Sequence, residues 1–289
     1  MFSMANVLSA ADRTAVISAL VEGCSIRSTS RMTGVARNTV TKLLVDLATA
    51  CAKYSDETLV NLPCRRLQVD EIWEFCYAKE KNVPASKKGV FGFGDVWTFV
   101  AIDAQTKLVP SWLVGSRDTG SATELMQDVA RRLTSRVQLT TDGLKAYLSA
   151  VEDAFGGEID YAMLNKIYAA TPGGEARYSP AECIGCEKKA ISGAPNPKHV
   201  STSYVERQNL TMRMSMRRFT RLTNGFSKKV ENHAAAVAVH FFYYNFARPH
   251  ISLKGMTPCM AAGVTDHRWT VQEMIDLLPP VFMFKAGSK

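Results

Sequence analysis

The sequence lacks the features that would place it in several common classes. It has no cysteine framework: seven cysteines, at positions 24, 51, 64, 76, 183, 186 and 259, are odd in number and follow no disulfide spacing. That pattern fits a reducing cytosol and not a secreted scaffold. No basic stretch followed by an apolar run opens the chain, so no secretory leader is expected. The longest apolar run, Ala234–Ala247, is broken by His240 and Asn245 and is too short to span a bilayer. There is no internal repeat and no low-complexity tract. Acidic residues are in deficit, 27 against 35 basic, for a net charge of +8.

What is present is globular. The 289 residues are 46% hydrophobic and 21% charged, enough for one large domain or two smaller ones. The basic excess is concentrated. Residues 201–235 hold Arg207, Arg213, Arg217, Arg218, Arg221, Lys228 and Lys229 against only Glu206 and Glu231. A local cationic face of this kind suits a polyanion, although a solvated helix face is the plain alternative.

Residues 1–50 read as three helices. After a first helix over 10–22, a short helix (26–33), a turn at Gly34 and a second helix (36–47) form a helix-turn-helix pattern. Val35, Val40 and Leu44 are expected to face inward. Arg37, Asn38, Thr39 and Lys42 stay at the exposed N-terminal end of the second helix, where base edges and phosphates are met. A small bundle used for packing or dimerisation is the alternative. Residues 51–66, with Pro63, read as a linker between this 1–50 module and an α/β domain over 67–250.

From Leu67 the period changes. Strands are expected at 67–75, 97–103, 108–115, 137–141 and 159–167, with helices over 121–133 (capped by Thr119 or Ser121) and 145–155. The order β-β-β-α-β-α-β describes a mixed sheet with flanking helices. Residues 170–200, rich in Gly and Pro, read as a loop insertion, and its Cys183-x-x-Cys186, with His199 nearby, is weak evidence for zinc. A helix over 203–222 follows, ending at Asn224-Gly225, with Glu206, Leu210, Arg213, Arg217 and Arg221 along one side. A long helix over 227–246 and a helical tail over 251–289 complete the chain.

Three carboxylates stand out. Asp70 lies inside the first strand, where a charge is costly without a partner or a task. Asp142 ends the fourth strand, and Glu206 sits in the first turn of its helix. In the expected topology the first and fourth strands lie side by side, so these groups can converge. Such a set suits Mg²⁺, and two ions about 3.5–4 Å apart can activate an attacking oxygen and stabilise a leaving one. Each residue also has a plain reading: Asp142-Gly143 as a turn pair, Ser203-x-x-Glu206 as a capping box, Asp70 paired with Arg65 or Lys145. Asp103 suits a hairpin turn, and Glu71 is expected on the opposite sheet face from Asp70.

Val69-Asp70-Glu71-Ile72-Trp73, Thr141-Asp142-Gly143 and Tyr204-Val205-Glu206-Arg207-Gln208-Asn209 resemble the three acidic blocks of bacterial insertion-sequence transposases of the DDE class. The nearest type is the one named after the first numbered insertion sequence. Tyr244-Asn245-x-x-Arg248-Pro249-His250 is similar to a segment that follows the catalytic helix in such enzymes. The resemblance implies a ribonuclease H-like fold and Asp70, Asp142 and Glu206 as ligands of Mg²⁺, with Mn²⁺ able to substitute. It implies nicking at a mobile element's ends and joining of the freed 3′ ends to target DNA. Arg37, Asn38, Thr39, Lys42, Arg207, Arg213, Arg217 and Arg221 would contact double-stranded DNA, both the terminal inverted repeats and the target. A homodimer or higher oligomer on DNA, in the bacterial cytoplasm and associated with the nucleoid, is implied as well. The chain departs from the nearest type in having no N-terminal zinc-finger cysteine set. A ribonuclease H-like nuclease or resolvase, and a DNA-binding regulator without chemistry, are the competing readings.

Overall fold

The computed structural model describes residues 8–169, 183–220 and 223–279. Three helices come first: α1 (Ala10–Val21), α2 (Ile26–Thr33) and α3 (Arg37–Thr58). Then follow β1 (Arg66–Cys76), β2 (Gly94–Asp103), β3 (Ser111–Gly115), α4 (Thr119–Arg132), β4 (Val137–Thr141), α5 (Ala146–Phe155), β5 (Ile159–Tyr168) and β6 (Cys183–Ser192). The chain ends with α6 (Ser203–Ser215), α7 (Val230–Phe242), α8 (Pro258–Ala261) and α9 (Val271–Asp276). No helix among the described residues is long and apolar enough to cross a membrane.

The six strands form one mixed sheet in the order β3-β2-β1-β4-β5-β6. β1 is antiparallel to β2 and β2 to β3, while β1–β4 and β4–β5 are parallel and β6 returns antiparallel to β5. A hairpin start, then crossovers through α4 and α5, is the ribonuclease H-like arrangement expected from the sequence. Strand alternation divides the core into two faces. Leu67, Val69, Phe99 and Leu139 pack with Leu125, Val129 and Tyr147 of α4 and α5. Ile72, Val100 and Ile102 pack on the other side with Val205 and Met212 of α6 and Val237 and Phe241 of α7.

The N-terminal helices share the first of these cores. Val16, Ile17, Val40, Leu44 and Leu47 belong to the same buried cluster as Leu67. Residues 51–58, expected in a linker, continue α3 instead. No helix breaker precedes Pro63, and Tyr54 has apolar partners: its ring lies 5.8 Å from Phe242, 5.7 Å from Phe246 and 4.9 Å from Trp269. Buried Arg132 ties the end of α3 to α4, donating to Asp56 (2.5 Å), the Leu59 carbonyl (3.1 Å) and Asp128 (2.7 Å).

Four other local expectations need correction. Asp118, not Thr119 or Ser121, caps α4, accepting the Ser121 N–H at 2.9 Å. Part of the expected loop insertion is strand β6. Its residues are mostly exposed, so backbone pairing to β5 holds it, and apolar alternation could not reveal it. Helix α6 stops at Ser215, well short of residue 222. Met216 and Phe219 turn inward into the second core, and that burial outweighs continuing the helix. Helix α7 begins at Val230 and its last turns widen over Tyr243–Ala247.

The segment after α7 is a clamp. Asn245 accepts from the Val109 N–H (3.0 Å) and donates to the Val109 carbonyl (2.8 Å), Tyr244 donates to the Lys107 carbonyl (3.0 Å), and Arg248 donates to the Ser215 hydroxyl (2.8 Å). Asn245→Ala would leave two buried backbone groups unpaired. A loss of about 2–4 kcal/mol in urea-denaturation stability is expected; a loss below about 0.5 kcal/mol would mean that the β2–β3 connection holds without the clamp.

Candidate active site

Two successive carboxylates on β1 begin the site. Alternation sends Asp70 toward the α6 side and Glu71 toward the α5 side. β4 pairs with β1 only as far as Val69–Thr141. Beyond that point no strand separates the two faces, and Asp142 enters the gap. Carboxylate oxygens of Asp70, Glu71 and Asp142 all lie within 4.8 Å of one another. The expectation that Glu71 points away is therefore corrected: its side chain leaves by the other face but returns to the same space at the end of β4.

Each carboxylate is held by a different partner. The Asn209 amide donates to Asp70 at 3.0 Å. Neither Arg65 nor Lys145 forms an ion pair with it among the described residues. Buried Glu71 receives the Arg117 guanidinium at 2.6 and 2.7 Å and the Tyr147 hydroxyl at 3.2 Å. Arg117 also lies 4.0 Å from Asp142 and stacks over Trp97. Asp142 accepts the Leu144 N–H at 3.0 Å. Gly143 lets the Asn165 side chain approach closely: a Cβ there would sit 2.3 Å from the Asn165 side-chain oxygen. Asp103 keeps its expected structural role, accepting from the Thr106 N–H (2.8 Å) and hydroxyl (2.6 Å).

Glu206 is brought to the same cavity by α6. Buried Gln68, two residues before Asp70, accepts the N–H groups of Tyr204 (2.8 Å) and Val205 (3.2 Å). It satisfies two of the free donors that begin any helix and fixes the first turn of α6 on β1. The capping-box alternative does not hold. Thr202 is the N-cap residue, and the Glu206 carboxylate takes the Thr202 hydroxyl (2.5 Å) and the Lys166 ammonium. Asp70, Asp142 and Glu206 line one cavity of about 420 Å³ with Asn165 and Lys166. The structure thus brings Asp70 and Asp142 together within 4.8 Å, and Glu206 lines the same cavity.

The site is short of positive charge. Burial, then the charges of Glu71, Asp142 and Glu206, push the Asp70 carboxyl up to about 7. Burial also raises Glu71, with Asp142 adding to it and Arg117 and Tyr147 opposing. Asp142 is raised mainly by burial. Oxygen-only donors with unbalanced negative charge are the donor set that hard divalent cations such as Mg²⁺ and Mn²⁺ take. Among the described residues, Asp70, Glu71 and Asp142 are the one group of this kind. Cys183, Cys186 and His199 do not form one, and the His199 ring is 3.0 Å from Arg66.

The cations separate into different settings. Arg37, Asn38 and Lys42 are exposed at the start of α3, with Thr39 half-buried and Lys42 paired to Asp46 at 2.5 Å. Arg207 and Arg217 are exposed, and Arg213 is half-buried. Because α6 ends at Ser215, Arg213 and Arg217 do not share one helix face as the sequence suggested. Arg221 lies outside the described residues. Gln68, Glu71, Asn209, Arg117 and Lys166 were not expected at the site. The only signal for them was spacing: Gln68 two before Asp70, and Asn209 one turn after Glu206.

A carboxyl raised in the folded chain binds a proton that the unfolded chain releases. Its stabilising contribution is complete below about pH 4 and lost as pH rises through about 7. In EDTA, Asp70→Asn should therefore remove a stability loss that the parent chain shows between about pH 5 and 8. At pH 8 the variant should be more stable by more than about 1 kcal/mol, measured by urea denaturation. Parallel pH profiles for the two proteins would contradict the assignment.

No family model matches the chain, and no curated protein matches it. Among solved structures it is similar to the Mos1 transposase paired-end complex with left transposon end, at 12% identity and a TM-score of 0.23, over 54% of this chain and 58% of that one. It is also similar to a piggyBac transposase synaptic complex with hairpin DNA, at 11% identity and a TM-score of 0.39, over 96% of this chain and 72% of that one. A third is the Mos1 mariner paired-end complex with Mn, at 10% identity and a TM-score of 0.27, over 84% and 78%. The chain thus spans little more than half of the first of these, and the fold rests on its own strand order and register.

Proposed function

We propose that the chain is a DNA transposase of the DDE class, of the insertion-sequence-one type, that cleaves DNA at the ends of a mobile element and joins the 3′ ends to target DNA. The observation that carries this reading is the convergence of Asp70, Glu71 and Asp142 at the end of β1, with Glu206 lining the same cavity. Asp70 and Asp142 hold divalent cations, two Mg²⁺ with Mn²⁺ able to replace them, and Glu206 is the third ligand. Bound there, such ions supply activation of an attacking water or 3′-hydroxyl and stabilisation of the leaving oxygen. Glu71, fixed by Arg117 and Tyr147, keeps the negative field of the site in place. Lys166, paired with Glu206 and lining the same cavity, would supply a cation for a phosphate held there.

The remaining assignments follow the same reading. Residues 1–50 act as a helix-turn-helix module, with Arg37, Asn38, Thr39 and Lys42 meeting the terminal inverted repeats. Residues 59–65 connect α3 to a catalytic unit over 67–250, and α8 and α9 follow it. Arg207, Arg213, Arg217 and Arg221 contact phosphates of the element or the target. Pairing of two element ends calls for two copies of the chain, as a homodimer or larger assembly on DNA.

Asp70→Ala, Asp142→Ala and Glu206→Ala should each reduce strand transfer from pre-cleaved ends by at least about a thousandfold, on the scale of losing a charge-stabilising group. Binding to end DNA in EDTA should change by less than about threefold. A variant that retains near-parental joining is not a metal ligand. Metal-dependent cleavage without joined products would point to a ribonuclease H-like nuclease instead.

A further inference from the structure

A second, larger cavity lies away from the carboxylates. It measures about 720 Å³ and opens between α1–α3 on one side and the chain from Ser215 to α7 on the other. Among the described residues five cations line it: Arg27 and Arg37 from the N-terminal helices, Arg217, Arg218 and Lys228 from the basic segment. No Asp or Glu among the described residues does. The floor is apolar, with Ile26, Leu44 and Phe226 among its residues.

Two polar groups of the lining, Arg218 and His240, have unmet demands. Arg218 is half-buried, and desolvation holds its pKa below the usual arginine value. Its hydrogen bond goes to the neutral Ser227 hydroxyl at 2.7 Å, and no carboxylate pairs with it among the described residues. A partly desolvated cation without a counter-ion favours an anion beside it. His240, only 4% exposed, lines the cavity, and its Nε2 has no hydrogen-bond partner among the described residues. Gly225 adds a close contact: a Cβ there would lie 2.9 Å from the Arg217 carbonyl oxygen, so the loop packs directly on Arg217 at the rim.

We propose that this cleft binds one unpaired nucleotide of a DNA strand, its phosphate among Arg27, Arg37, Arg217 and Arg218, its base against Ile26 and the edge of Phe226, whose ring packs on Phe75 (4.7 Å) and carries the Lys228 ammonium (3.6 Å), with His240 Nε2 as a polar partner. The volume argues for a nucleotide and against a duplex, because sites of about 300–1,000 Å³ hold single small ligands. A duplex backbone would need only an open row of cations and would have no use for an apolar floor. Cations for the phosphate beside an apolar and aromatic surface for the base are the combination that single-stranded nucleic acid requires. The inference rests on the DNA-binding reading above but not on the chemistry at Asp70 and Asp142.

The test uses the full chain in EDTA, where the carboxylate site is silent. A single strand of about a dozen nucleotides, carrying one central 5-iodouracil, is irradiated with the protein beside a blunt duplex of the same sequence. Adducts mapped by mass spectrometry to residues 24–27 or 224–228, from the single strand and not from the duplex, are expected. Arg27→Ala and Phe226→Ala should each weaken single-strand binding by at least about fivefold and duplex binding by less than about twofold. Adducts confined to other segments, or equal yields from the duplex, would overturn the nucleotide site and leave the DNA-binding reading standing. Failure to bind either DNA would overturn that reading, and this inference with it.

Discussion

Gln68 accepting the first N–H groups of α6, and Asn209 donating to Asp70, fix one helix on one strand. The rest of the site depends on this registration. β1 carries Gln68, Asp70 and Glu71, and α6 carries Glu206 and Asn209, although the two elements are far apart in sequence (Arg66–Cys76 and Ser203–Ser215). Val205 and Met212, packed beside Ile72, add apolar burial to the same joint. Each hydrogen bond contributes about 1 kcal/mol, whereas the buried side chains contribute about 1.5–3 kcal/mol each. Packing therefore holds the helix down, and the polar contacts decide which residue of it faces the cavity.

The carboxylates impose the opposite demand. Three of them within a few ångströms repel one another, and burial raises the cost of their charge. Arg117 relieves Glu71 and, at longer range, Asp142, while Lys166 relieves Glu206. Asp70 has the Asn209 amide and no cation among the described residues, and burial, then the neighbouring carboxylates, raise its pKa. Stability is spent at this point of the fold in favour of affinity for a cation. Arg218 at the second cavity is the reverse case, a half-buried cation with no carboxylate partner among the described residues. Both places leave a desolvated charge without an opposite charge beside it, and both open to solvent through a cleft.

Much of this was legible in the sequence. Alternation in 67–75 and the order of elements gave the sheet, and the isolated acids at 70, 142 and 206 marked one cavity. The misses have physical causes. β6 is a solvated edge held by backbone pairing, which leaves no apolar period to read. The end of α6 is set by Met216 and Phe219 entering a core that only tertiary structure creates. Glu71 obeyed alternation, but its reach depended on where β4 ends, a fact about the neighbouring strand. Glu206 spelled a capping box, yet Gln68 from β1 served the helix start instead. Local rules predicted elements well and failed where a partner distant in sequence took over a local task.

The central claim is that Asp70 and Asp142 jointly hold a divalent cation. Anomalous diffraction from crystals grown with Mn²⁺ tests it most directly, because the ion is located without reference to activity. The account predicts an anomalous peak within direct-coordination distance, about 2–2.3 Å, of carboxylate oxygens from both residues. Crystals in which Mn²⁺ binds elsewhere, with nothing between Asp70 and Asp142, would contradict it.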